Sequence, residues 1–161
     1  MAKKITVCAM LTAVCMAFSF FESQIMLPFA PGVKLGLANA VILILFIKGF
    51  IKEGILINLA RILLSAFIFA GVFSLIYSIT AAAVSGASVL IFKRFKCFSA
   101  IGVSIIGATL HNLTQVFVCV FVYKSAAVFS YAPILCALGA VSGLLTGIAA
   151  TVLEKRLKNI F

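Results

Sequence analysis

Apolar residues run through this chain in long blocks, and the polar positions gather in short clusters between them. Several blocks approach the roughly 20 residues that a helix needs to cross a bilayer. The pattern predicts six helices, at about Ile5–Phe21, Leu35–Ile47, Glu53–Phe69, Ser74–Phe92, Ala100–Tyr123 and Tyr131–Leu157. The second is short for a span. The expected fold class is an all-α integral membrane protein with six transmembrane helices, one domain over residues 1–161.

The long interruption of this pattern is Pro28-Phe29-Ala30-Pro31-Gly32-Val33-Lys34-Leu35-Gly36-Leu37-Ala38-Asn39. Neither proline suits a helix interior, because its ring fixes φ and removes the N–H. The stretch reads as an irregular loop between the first two helices. Irregular backbone at a membrane face must meet water or line a cavity. It is read here as the lid or rim of a binding site, with an ordinary external connector as the alternative.

Composition agrees with a membrane domain: 65% of the residues are hydrophobic, too many for a soluble surface to cover. The net charge of +10 changes the picture more. Its carriers lie in clusters at Lys3-Lys4, Lys48 with Lys52, Lys93-Arg94 with Lys96, and Lys155-Arg156 with Lys158. With the N-terminus inside, all of these fall in cytoplasmic loops, as the positive-inside rule requires. Only Lys34 and Lys124 fall outside, and Arg61 lies within the membrane. Both termini are therefore expected to be cytoplasmic. Separated clusters of this kind are not the contiguous basic face of a nucleic-acid binder. Lys3-Lys4 before an apolar run imitates a signal peptide, yet no clean small-x-small site follows, so an uncleaved first helix is expected.

The five cysteines form no CxxC pair, and all but Cys97 lie in apolar runs, where they read as small hydrophobes. With one histidine besides, no metal site is expected, and no cofactor.

Polar residues at membrane depth are expensive and mark function by default. Arg61 lies near the middle of the third helix, with Asn58 and Ser65 on its face. His111, Asn112 and Gln115 cluster in the middle of the fifth. Glu22, Lys34 and Asn39 fall toward the outer side. Together these seven are the candidate substrate-binding residues, lining one cavity that opens outward under the Pro-Gly loop. Arg61 as a snorkelling or structurally paired side chain, and His111 as a packing residue, remain as alternatives. Two stripes of small residues stand out as well. Gly139, Gly143 and Gly147 form a GxxxGxxxG face in the sixth helix, suited to tight packing. Ala9, Ala13 and Ala17 form a stripe in the first, for the bundle interior or for another subunit.

These features resemble a known family. Ala-x-x-x-Ala in the first helix, Glu22, the segment Leu-Pro-Phe-x-Pro-Gly-Val-Lys-Leu-Gly-Leu-Ala-Asn, then Leu59-Ala60-Arg61-Ile62-Leu63-Leu64 and His111-Asn112-Leu113-x-Gln115 are similar to the Gx transporter family. Its members are often labelled heptaprenyl diphosphate synthase component I. The wider fold resembles the six-helix S component of energy-coupling factor (ECF) transporters. The resemblance implies a subunit in the bacterial plasma membrane that captures a small solute outside. It implies docking through Ala9, Ala13 and Ala17 to a coupling transmembrane subunit driven by two ATPases. The charge around the candidate site suits an anionic or zwitterionic solute.

The label implies a different function, a membrane partner of a prenyl synthase. The chain cannot be the catalytic part of one. Diphosphate is held through Mg²⁺ by carboxylates, and the only acids here are Glu22, Glu53 and Glu154. No P-loop and no dinucleotide fingerprint is present either, so the chain is not expected to be an enzyme.

Overall fold

The computed structural model describes residues 2–24, 37–95 and 97–156. The loop from Pro28 to Gly36, and Lys34 with it, lies outside the described residues. The described chain is helical, with six α-helices: α1 Ala2–Gln24, α2 Leu37–Lys48, α3 Ile51–Ser65, α4 Val72–Phe92, α5 Ala100–Tyr123 and α6 Ala132–Arg156. Four stretches are long and apolar enough to cross a bilayer: Lys4–Gln24, Ser74–Phe92, Ala100–Val122 and Ala126–Val152.

The fifth helix starts and ends as the sequence predicts. Ser99 caps its start by accepting from the Gly102 N–H at 3.1 Å, and Lys124 closes it in the left-handed conformation, φ 48°. The third helix departs from expectation. It gives way at Ala66 to a π-helical turn, Ala66–Ala70, that carries the chain to Gly71. Gly71 sits at φ 78°, a conformation other residues rarely adopt. The two segments together cover residues 51–70. Before α6 the chain makes a 3-10 turn over Ala126–Tyr131.

At 12 residues, α2 is about 18 Å long, well short of a bilayer's apolar thickness. Its residues Ile42, Leu43, Ile44, Leu45 and Phe46 are all buried. A helix apolar on every side belongs inside a bundle. The core forms around it, with Cys15, Ile57, Val89, Val103 and Ala150 contributed by the other helices.

The tightest pairing is α5 with α6, through the glycine stripe. A Cβ added at Gly143 would stand 2.7 Å from the Ile105 Cα, and one at Gly147 would stand 2.8 Å from the Ile101 Cα. Such backbone approach is what small-residue stripes permit in lipid. Ser104 and Thr146 hydrogen-bond across the same interface at 2.8 Å.

A second clamp ties α4 to α2. The Lys93 ammonium donates to the carbonyls of Phe46 and Ile47, at 2.7 and 2.5 Å. These carbonyls belong to the last turn of α2, where the helix dipole favours a cation, and the Phe46 carbonyl also accepts from the Gly49 N–H at 3.2 Å. Lys93→Met is expected to lower the stability of the folded bundle by about 1 kcal/mol, discounted for partial solvent exposure. Thermal unfolding in lipid nanodiscs measures it, and an unchanged midpoint would show the clamp to be idle.

Candidate functional site

The polar residues singled out in the sequence fall into two buried networks, one on each side of a small cavity. The first is centred on Arg61, which is only 5% exposed. Its Nη1 donates to Ser19 Oγ of α1 at 3.2 Å. Its Nη2 donates to Asn58 Oδ1 at 2.8 Å and more weakly to Asn39 Oδ1 of α2 at 3.5 Å. Glu22 of α1 is likewise buried. Three helices thus converge on one cation. The expected face of α3 is present in part: Asn58 meets Arg61, whereas Ser65 turns to the Ile62 carbonyl of its own helix.

The second network belongs to α5. His111 Nδ1 lies 3.4 Å from Ser85 Oγ of α4, and its Nε2 lies 3.4 Å from Gln115 Nε2. An amide NH₂ only donates, so with Gln115 in this orientation the imidazole accepts at Nε2 and carries its proton on Nδ1. Asn112 turns the other way and donates to the Leu135 carbonyl of α6 at 3.0 Å. Arg61 Nε and Gln115 Oε1 are among the buried atoms that have no hydrogen-bond partner among the described residues.

Between the networks lies a cavity of about 50 Å³. Its wall includes Asn39 and Asn58 from the first network, Ser85 from the second, and Ser104, Ser142 and Thr146. At roughly 10–15 Å³ per water position it holds a few waters, not a vitamin-sized solute. This cavity gathers only part of the seven candidates, of which Lys34 lies outside the described residues. Of the six described candidates, Asn39 is in the cavity wall; Glu22, Arg61, His111, Asn112 and Gln115 are not among its lining residues. The reason is hydrogen bonding. Arg61, His111 and Asn112 each reach a neighbouring helix, whereas Gln115 meets His111 of its own.

Sequence reading missed Ser19 and Ser85. Ser19 was legible in principle: Cys15, Ser19 and Glu22 recur at helical spacing, and all three are buried. The opposite face of α1 carries Ala9, Ala13 and Ala17, and every one of them is exposed. The alanine stripe therefore takes no part in the bundle interior among the described residues.

The comparison with known families decides where the chain stands. The family model described as heptaprenyl diphosphate synthase component I matches residues 11–153. The chain belongs to that family. No curated protein and no solved structure matches it. The match takes in both buried networks and the glycine stripe. A component I, by its description, is one part of a synthase that works with another subunit. The chain contains no aspartate.

Proposed function

We propose that this component I family member is a non-catalytic, solute-binding membrane subunit that docks onto a second membrane subunit through α1. The observation that carries the proposal is the two-sidedness of α1. Cys15, Ser19 and Glu22 bind the helix to its own bundle, while Ala9, Ala13 and Ala17 leave a smooth outward face. In lipid, association rests on close packing, and small residues allow it.

On this reading the chain resembles the S component of an ECF transporter. It crosses the bacterial plasma membrane six times, with both termini inside. It takes a small anionic or zwitterionic solute from outside, and a coupling subunit with two ATPases drives uptake. Glu22, Lys34, Asn39, Arg61, His111, Asn112 and Gln115 form or brace the site. The basic clusters support the orientation, and the six helices support the count. The second reading, a membrane partner of heptaprenyl diphosphate synthase, is favoured by the family description itself.

Purification of the tagged protein from its native membrane separates the two. Coupling and ATPase subunits are expected in the eluate; a soluble prenyl synthase in their place would establish the second reading. Ala13→Trp adds bulk to an exposed site. It is expected to leave the thermal midpoint unchanged and to remove the membrane partner. Loss of folding, or a partner retained in full, would overturn docking through α1.

A further inference from the structure

A second, larger hollow lies on the lipid side of the first. It is a cleft of about 320 Å³ between α3 and α4, within the roughly 300–1,000 Å³ of ligand sites. Its lips are aliphatic and outward-facing: Ile55 is 46% exposed and Leu59 44%. Its inner end is not apolar. Phe46, Asn58, Ala82 and Gly86 line the cleft and also the inner polar cavity. The two hollows therefore share a wall, and that wall contains an amide. The Phe46 ring stands at this junction. It fits there because Gly54 and Gly86 carry no side chain: a Cβ on Gly54 would be 2.7 Å from the ring, and one on Gly86 would be 3.4 Å away.

The orientation of the amide is set by Arg61. A guanidinium can only donate, so Asn58 must turn Oδ1 toward it. The Nδ2 donors then face away from Arg61, and no hydrogen bond engages them among the described residues. Asn39 is held in the same sense by the same Nη2. The wall between cleft and cavity thus presents N–H donors, backed by a buried positive charge.

We infer that the α3/α4 cleft is a lateral portal that binds a single-chain amphiphile from the lipid phase. The apolar chain lies between Leu59 and Ile79. The head carries a hydrogen-bond-accepting oxygen and reaches Asn58 Nδ2 at the inner end. The inner cavity admits only the few heavy atoms of a small head. A head that is itself a cation or offers only donors is refused, because it would meet N–H groups and Arg61. This site goes beyond solute capture from outside and holds for either partner subunit.

The test is photolabelling of the full-length protein in phosphatidylcholine nanodiscs, with labelled positions mapped by mass spectrometry. The probes are dodecanoate and dodecylamine, each carrying a diazirine at mid-chain. Dodecanoate is expected to label the α3/α4 cleft in excess of the exposed faces of α1 and α6, and dodecylamine is expected not to. Asn58→Asp keeps an acceptor for Arg61 while replacing the free donors with oxygen. It should reduce dodecanoate labelling of the cleft about tenfold, the worth of one buried hydrogen bond turned to repulsion. Ala83→Phe, at an exposed cleft residue, should abolish it without touching Arg61. Equal labelling by both probes, or labelling spread evenly over all lipid-facing helices, would overturn the inference. So would full labelling of the Ala83→Phe protein.

Discussion

Gly143→Val is expected to prevent the bundle from accumulating in folded form. The first added carbon meets the Ile105 Cα at 2.7 Å, the Ser104 carbonyl at 2.9 Å and the Ala108 Cβ at 3.0 Å. Two of these three are backbone atoms, which cannot rotate away. The helices must separate or slide, and either movement breaks the Ser104–Thr146 hydrogen bond next to the contact. Overpacking alone costs about 1–3 kcal/mol, and the buried hydroxyl pair adds about 1 kcal/mol or more. That is a large share of what holds a small domain together. The thermal midpoint in nanodiscs should fall sharply, and Gly143→Ala should give a smaller fall in the same direction. Val141→Leu, two residues away but facing lipid, serves as the control and should change nothing. An unaltered midpoint in Gly143→Val would mean that α5 and α6 do not approach as described.

Arg61→Met is the second large effect. It removes the cation expected to balance the buried Glu22, and it leaves Ser19 and Asn58 without their donor. Breaking one half of a buried pair costs about 3–5 kcal/mol, whereas removing both charges is often close to neutral. The double variant Arg61→Met with Glu22→Gln is therefore expected to recover a good part of the stability lost in Arg61→Met alone. Thermal unfolding of the wild type, both single variants and the double completes the cycle. Additive losses would show that the two side chains do not sense each other. The arrangement also bears on binding. Because both Nη atoms of Arg61 are committed to protein oxygens, a solute would meet the amides that Arg61 orients before it met Arg61.

Much of this architecture was legible in the sequence. The α5 boundaries follow from a clean apolar run between Ser99 and Lys124. The glycine stripe announced its close contact because four-residue spacing puts Gly139, Gly143 and Gly147 on one face. Arg61 and Asn58 were a pair by helical geometry alone. The rest depends on which helices become neighbours, and periodicity does not carry that. Nothing near His111 in the chain points to Ser85, 26 residues away. Nothing in α3 points to Ser19, 42 residues away. For the same reason the division of the candidate residues into two networks could not be read from spacing. The π turn after Ser65 was hidden as well, since Ala66–Ala70 is as apolar as the helix it ends.

The bonds that Arg61 makes to α1 and α2 set an order of events during biogenesis. On the six-span reading, an isolated α3 would enter the membrane with a naked cation at mid-depth, a costly passenger. Ser19, Glu22 and Asn39 all precede it in the chain and emerge earlier from the ribosome. The acceptors for the arginine are thus already made when it arrives at the translocon. Moving α1 behind α3 by circular permutation would keep every contact of the finished bundle and lose that timing. Insertion efficiency, not final stability, is where the rearranged chain would suffer.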